Sequence, residues 1–168
     1  MKIYTRTGDT GDTSLYGGTR IGKDALRVWC YGSVDEANCM LGMAAVNISE
    51  KNDEIKEIIR QIQKKLFVVG AELASDQKGI EKLKKRIKEE DIAHLENLID
   101  DFTDRQNCIK GFTVPGETMS SAVLHMSRTA VRKAERYVVA LSKEEQVSLL
   151  VLKYLNRLSD LLYVLADC

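Results

Sequence analysis

The side chains in this sequence best suited to chemistry are anion-binding groups, and the first concentration of them runs from Thr5 to Lys23. That stretch, Thr-Arg-Thr-Gly-Asp-Thr-Gly-Asp-Thr-Ser-Leu-Tyr-Gly-Gly-Thr-Arg-Ile-Gly-Lys, holds five of the eleven glycines and five threonines. Glycines let successive backbone N–H groups converge on an anion, while Thr5, Thr7, Thr13 and Ser14 add hydroxyl donors and Lys23 a point charge. Residues Gly17 to Asp24 come close to the GxxxxGK[ST] phosphate loop. The match fails because Asp24 stands where a magnesium-binding hydroxyl is required and no hydrophobic strand precedes the loop. A P-loop NTPase is excluded. Composition leaves two readings open, a loop that closes on a phosphate-bearing ligand and a free N-terminal arm.

A second concentration is Arg128, Arg132, Glu135 and Arg136. At about 100° per residue the four fall within one helical arc of roughly 100°. They lie beside an apolar stripe of Leu124, Val131, Ala134 and Val138. Three guanidiniums next to one carboxylate can hold several phosphate oxygens through paired N–H donors. A solvated salt-bridge face is the commoner use of such charges. Asp35 falls on an otherwise apolar helix face, where a carboxylate must be protonated or paired because its desolvation is costly. An arginine of this cluster is its candidate partner, within the chain or across an interface. Asn156 is flanked at helical spacing by Leu149, Leu152 and Tyr163. It reads either as a satisfied core amide or as a contact for a nucleotide base or ribose.

Metal and acid–base chemistry find little support. Asp91-x-x-His94 is a single carboxylate–histidine pair and His125 has no carboxylate three residues before it, so the doubled Glu-x-x-His pattern of di-iron bundles is missing. Neither histidine adjoins a Gly-x-Ser-x-Gly turn. Cys30, Cys39, Cys108 and Cys168 form no CxxC pair and read as reduced thiols. No residue is singled out as a metal ligand.

Helices must position these groups. Asp24 is the expected N-cap of a helix over 25–46, whose stripe is Cys30, Val34, Ala37, Leu41, Ala44 and Ala45. A second apolar face carries Val28, Cys39, Gly42 and Val46, so this helix should have two neighbours. Further helices are expected over 53–74, 89–104, 117–141 and 145–166. The last is apolar nearly all round, which places it centrally or against another subunit. Lysine-rich residues 75–88 read as an exposed, partly helical connection. The segment 108–116, which holds the sole proline in Pro115-Gly116, breaks the helical pattern. Short loops imply antiparallel neighbours. The expectation is one domain over 1–168: an all-α five-helix bundle over 24–168, with an extended glycine-rich N-terminal segment over 1–23.

The totals narrow the partners. Twenty-five basic and 25 acidic side chains balance, which argues against nucleic acid or a membrane surface. No apolar run approaches the roughly 20 residues of a membrane span. Met1-Lys2-Ile3-Tyr4 runs straight into the polar loop, so no signal peptide is expected and the cytoplasm is the expected compartment.

Four ordered motifs resemble one family over almost the whole chain. They are Tyr4-Thr-Arg-Thr-Gly-Asp-Thr-Gly11, Gly32-Ser-Val-Asp-Glu-Ala-Asn38, Arg128-Thr-Ala-Val-Arg-Lys-Ala-Glu-Arg136 and Tyr154-Leu-Asn-Arg-Leu-Ser-Asp-Leu-Leu162. The chain is similar to the PduO-type ATP:cob(I)alamin adenosyltransferases, the corrinoid adenosyltransferases. The resemblance implies a homotrimer of five-helix bundles that moves the 5′-deoxyadenosyl group of ATP to the cobalt of cob(I)alamin and releases triphosphate, with magnesium helping. Thr5, Arg6, Thr7, Gly8, Thr13, Ser14 and Lys23 would wrap the triphosphate. Arg132, Lys133, Glu135, Arg136 and Asn156 of the neighbouring subunit would hold the rest of the nucleotide. Asp35 would pair with Arg128 across the interface, and Phe112 would sit beneath the corrin, displacing the lower ligand and favouring four-coordinate cobalt. A flavin-type reductase and a cobalamin-dependent acceptor enzyme are the implied protein partners.

Two positions depart from the family pattern. Lys133 replaces an arginine, keeping the charge and losing the fork. Glu117 replaces a glycine, where it can favour the start of the following helix. A non-catalytic ATP- or cobalamin-binding sensor or carrier on the same fold is the alternative. Its expected mark, loss of Asp35, Arg128 or Asn156, is missing.

Overall fold

The computed structural model describes residues 4–49, 52–106 and 113–167. Its elements in chain order are β1 (Asp12–Ser14), β2 (Arg20–Gly22), α1 (Leu26–Asn47), α2 (Asp53–Leu73), α3 (Gln77–Lys82), α4 (Glu89–Gln106), α5 (Met119–Leu141) and α6 (Leu149–Asp167). The five expected helices are α1, α2, α4, α5 and α6. The all-α expectation is corrected by a two-stranded sheet and by the sixth, short helix α3.

The core is built from the expected stripes. Cys30, Val34, Ala37, Leu41 and Ala44 of α1 are buried, as are Ile55, Ile59, Ile62, Leu66 and Val69 of α2. α1 packs on α2 and α5, and α6 packs on α5 and α4. Buried small side chains on both helices, Ala37 and Ala44 of α1 and Ala130 and Ala134 of α5, suit the close α1–α5 packing. Ion pairs Lys65–Asp91 (2.5 Å) and Arg105–Glu54 (3.1 Å) tie α4 back to α2. α6 buries Val151, Tyr154, Leu155, Leu158, Leu161, Leu162, Val164 and Leu165, in keeping with its nearly all-round apolarity. No helix of the described residues is long and apolar enough to cross a membrane.

Several boundaries differ from expectation for local reasons. Ala25, not Asp24, is the N-cap of α1, and it makes no side-chain cap bond. Asp24 instead accepts the Trp29 indole N–H on its backbone carbonyl (3.2 Å). α5 opens at Met119 rather than Glu117, because the Thr118 hydroxyl accepts the Ser121 N–H (3.1 Å) and satisfies an otherwise orphaned donor. α6 opens at Leu149 rather than residue 145. Glu145 is drawn out of helical register by its ion pair with Arg27 (2.6 Å).

Residues 75–88 are also more tightly built than expected. Asp76 caps α3 by accepting the Gly79 N–H (2.8 Å). Ile87 is buried, and its N–H donates to the buried Glu72 carboxylate (2.5 Å).

The glycine-rich segment is a hairpin pinned to this region. β1 and β2 pair antiparallel with Thr13 opposite Ile21 and Ser14 opposite Arg20. Gly17 (φ 130°) and Gly18 (φ 110°) turn the chain in the left-handed region that glycine adopts freely. Tyr16 forms a parallel bridge with Ser75: its N–H donates to Ala74 O (2.8 Å) and its carbonyl accepts from the Asp76 N–H (3.3 Å). A Cβ on Gly79 would stand 1.5 Å from Tyr16 O, so the approach requires glycine there. A free N-terminal arm is excluded for this part of the chain.

Candidate functional site

The hairpin folds the Thr5–Gly8 arm back on itself with two cations. Lys23 Nζ donates to Gly8 O (2.7 Å), and the Lys23 backbone N–H donates to Gly11 O (2.8 Å). Arg20 Nη2 donates to Thr7 O (2.8 Å) and its Nη1 to Ser14 Oγ (3.2 Å). The Thr5 and Thr7 hydroxyls lie 2.9 Å apart. Arg6 has φ 61°, a left-handed backbone angle uncommon outside glycine, and its guanidinium lies 5.4 Å from the Tyr4 ring centroid. Thr5, Arg6, Thr7, Ser14 and Lys23 are exposed, with Gly8 and Thr13 half-buried. Hydroxyls, a lysine ammonium and turned backbone therefore share one solvent-facing edge, which suits a polyanion. Arg20 was missed by sequence reasoning. Its role is visible only once the strand register places it opposite Ser14.

The anchor of the hairpin is electrostatically tuned. Asp76 accepts from both the Thr19 hydroxyl (2.6 Å) and the Thr19 N–H (3.0 Å). Those bonds, with the one from the Gly79 N–H, lower its carboxyl from 3.8 to about 2. Arg27 fastens the neighbouring helix end. Its Nη1 donates to Leu73 O (2.9 Å) and Ser75 O (3.3 Å), while Nε and Nη2 donate to Glu145 (2.9 and 2.6 Å). A cation at the last carbonyls of α2 is favoured by the helix dipole. A cavity of about 530 Å³ opens here, among Leu15, Ile21, Arg27, Glu72, Glu145 and Val151. None of the sequence-predicted site residues lines it.

The second set of predicted residues lies on α5 and α6. Arg132 and Arg136 are exposed, and Glu135 accepts from Asn156 Nδ2 (2.9 Å). Lys133 is engaged inside the chain by an ion pair to Glu36 of α1. Asn156 is exposed rather than a core amide, and it borders a smaller cavity of about 340 Å³ with Glu96 and Arg157. Arg128 is half-buried, 5.8 Å from the Tyr163 ring centroid, with a buried Nε that has no hydrogen-bond partner among the described residues. Asp35 is exposed within the single chain. Among the described residues no helix covers the α1 face that carries it: Met43 and Val46 are exposed there too. No hydrogen bond or ion pair joins Asp35 to Arg128, or the hairpin set to the α5–α6 set, among the described residues. Phe112 lies outside the described residues.

His125 was dismissed for want of a nearby carboxylate in the sequence. The fold supplies one from the end of α6: Asp167 Oδ1 lies 3.3 Å from His125 Nε2.

Fold and site together define a helical bundle bearing a glycine-rich hairpin, whose donors suit a polyanion, and an arginine-rich helix. The chain belongs to the cobalamin adenosyltransferase family, whose model matches residues 3–168. It is 47% identical to a corrinoid adenosyltransferase of Citrobacter freundii over 98% of this chain and 93% of that protein. It is 41% identical to one of Bacillus subtilis, covering 99% and 85%. Among solved structures it is similar to a variant PduO-type ATP:corrinoid adenosyltransferase from Lactobacillus reuteri complexed with cobalamin and ATP. That likeness has a TM-score of 0.92 and 36% identity, covering 99% of this chain and 92% of the other.

Proposed function

We propose that this protein transfers the 5′-deoxyadenosyl group of ATP to the cobalt of cob(I)alamin, at sites shared between the subunits of a cytoplasmic homotrimer. The observation that carries the reading is the Thr5–Gly8 arm held by Lys23 and Arg20 beside the hairpin hydroxyls, in a chain of this family. Cob(I)alamin is itself the nucleophile. Its cobalt electron pair forms the Co–C bond to the 5′ carbon as the C–O bond breaks, and those electrons leave on the triphosphate. No proton needs to be moved, which fits a site without a histidine base. The protein's share is to align carbon with cobalt and to stabilise charge on the departing triphosphate.

The roles follow from the chemistry of the groups. Hairpin hydroxyls, backbone N–H groups and Lys23 take the triphosphate. Arg132 and Arg136 of a neighbouring subunit add bidentate donors, and Glu135 with Asn156 holds the ribose and base. Asp35 pairs with Arg128 across the interface. The exposed Asp35 and the unpartnered Arg128 Nε support that pairing, and the exposed Trp29, Met43, Val46 and Phe67 support burial against another copy. Phe112 sits beneath the corrin in place of the lower ligand, which eases reduction of cob(II)alamin. A flavin-type reductase supplies that electron, and a cobalamin-dependent enzyme receives the product. No three His, Cys, Asp or Glu side chains of the described residues cluster to cage a metal. Magnesium, which keeps phosphate and water ligands, would be carried by the triphosphate rather than by protein carboxylates.

The test is an anaerobic assay with ATP, magnesium and chemically reduced cob(I)alamin. Formation of a light-sensitive alkylcobalamin with stoichiometric triphosphate is the expected outcome. ATP binding by a folded oligomer without conversion would replace this reading with a sensor or carrier.

A further inference from the structure

The hairpin assigned to the triphosphate is not seated on a filled core. Its side chains Leu15, Thr19 and Ile21 line the cavity of about 530 Å³, together with Arg27, Glu145 and Val151. Close packing therefore does not fix where the hairpin stands, and polar ties to the chain around residues 73–76 must do so. The Tyr16 N–H donates to Ala74 O (2.8 Å) and the Asp76 N–H to Tyr16 O (3.3 Å). The Thr19 N–H and hydroxyl donate to Asp76 (3.0 and 2.6 Å).

Residues 73–75 close α2, where the last carbonyls have no partner inside the helix. One side chain from α1 holds them. Arg27 Nη1 donates to Leu73 O (2.9 Å) and Ser75 O (3.3 Å), the carbonyls on either side of the one that bears Tyr16. Its Nε and Nη2 donate to Glu145 Oε2 (2.9 and 2.6 Å), ahead of α6. The Arg27 side chain is only 10% exposed. Such an ion pair is weak evidence for stability, because apolar residues of similar volume often serve as well. Apolar residues cannot, however, grip two carbonyls and a carboxylate at once, as the guanidinium fork does. From α2 the ties run through Tyr16 and Thr19 into the hairpin, where Arg20 and Lys23 hold Thr7 O and Gly8 O.

We propose that Arg27, clamped by Glu145, is a positioning residue that sets the Thr5–Gly8 arm for the triphosphate of ATP. The inference rests on the adenosyltransferase reading above and deepens it, adding two residues that none of the four motifs contains. Neither touches ATP in this role. They fix the end of α2, the end of α2 fixes the hairpin, and the hairpin fixes the arm. The role concerns ATP alone, so binding of the corrinoid does not depend on it.

Arg27→Met removes every donor at similar length, Arg27→Lys keeps the charge without the fork, and Glu145→Gln weakens the clamp while Arg27 stays. With prereduced cob(I)alamin and magnesium, the KM for ATP should rise about tenfold in Arg27→Met, the effect of losing a charge-assisted hydrogen bond. Arg27→Lys and Glu145→Gln should each raise it about threefold. In all three the KM for cob(I)alamin should stay within about twofold, because only the ATP side is displaced. Hydrogen exchange should report the cause: the Tyr16 amide loses protection, while amides in the middle of α2 keep theirs. An unchanged KM for ATP in Arg27→Lys and Glu145→Gln would overturn the proposal, as would equal rises in both KM values, or a lowered melting temperature with unchanged KM values. Those two milder variants decide the matter if Arg27→Met does not fold. A wild-type protein that forms no alkylcobalamin from cob(I)alamin would instead overturn the adenosyltransferase reading, a failure visible before any variant is made.

Discussion

Arg20 shows how a single side chain can matter without belonging to any recognisable motif. Its guanidinium spans Thr7 O and Ser14 Oγ, so one residue of β2 fixes both the arm and the opposite strand. Replacing it with alanine should leave the core intact, because the group is exposed and its ion pair to Asp12 is long at 4.0 Å. The arm, however, would lose the guanidinium tie at Thr7 O. The expected result is a KM for ATP raised about three- to tenfold with little change in melting temperature, the range of one or two charge-assisted hydrogen bonds lost at a solvated site. Phe112→Ala acts on the other substrate. It should slow turnover from cob(II)alamin far more than it weakens ATP binding, and equal losses in both would remove Phe112 from the lower-ligand role. Steady-state kinetics with each corrinoid oxidation state separates the two residues.

Among the elements, the hairpin depends on its anchor rather than on its own strands. Each strand has three residues, too short to be stable alone. Asp76 joins hairpin and α3 by accepting from Thr19 and Gly79, and its carboxyl is lowered from 3.8 to about 2. A carboxylate whose value falls on folding stabilises the folded state fully above its unfolded value, and the stabilisation fades as pH drops through the folded one. The window is therefore about pH 4 down to about pH 2. Wild type should exceed Asp76→Asn in melting temperature above that window, and the gap should close within it. Protection of the Thr19 and Gly79 amides against hydrogen exchange, relative to the intrinsic rate at each pH, should fall over the same interval.

The same anchor explains what the sequence concealed. Long helices were legible because stripes such as Ile55, Ile59, Ile62 and Leu66 repeat over many turns. Strands of three residues offer no period to detect, and their pairing is set by the Tyr16–Ser75 bridge, a contact between distant parts of the chain. α3 was obscured by lysines that face solvent while Asp76 and the closely packed Gly79 hold it. The His125–Asp167 pair was invisible for a related reason: 42 positions separate its members in the numbering, and only the α5–α6 packing joins them.

At the scale of the whole molecule, one chain leaves its two charged sets apart and its α1 face uncovered. By its sequence α1 has two apolar faces, and α2 and α5 do pack on this helix, but Cys39 and Val46 of the second face stay exposed. That face, with Asp35 beside Met43 and Val46, is uncovered among the described residues, so burial of Asp35 could not be judged from one chain's periodicity. In the trimer proposed here, Asp35 meets Arg128 of the next subunit, and reversing either charge sets like against like in a partly desolvated contact. Truncating or opposing one member of such a pair costs about 2–5 kcal/mol. Asp35→Arg alone and Arg128→Asp alone should therefore shift the trimer toward monomer by more than tenfold in concentration, and should lose transferase activity with it. The double variant, which restores opposite charges in exchanged positions, should recover the trimer in sedimentation velocity even if its turnover stays low. Pairing within one chain predicts the reverse, single variants that remain trimeric, because no subunit contact would depend on either charge.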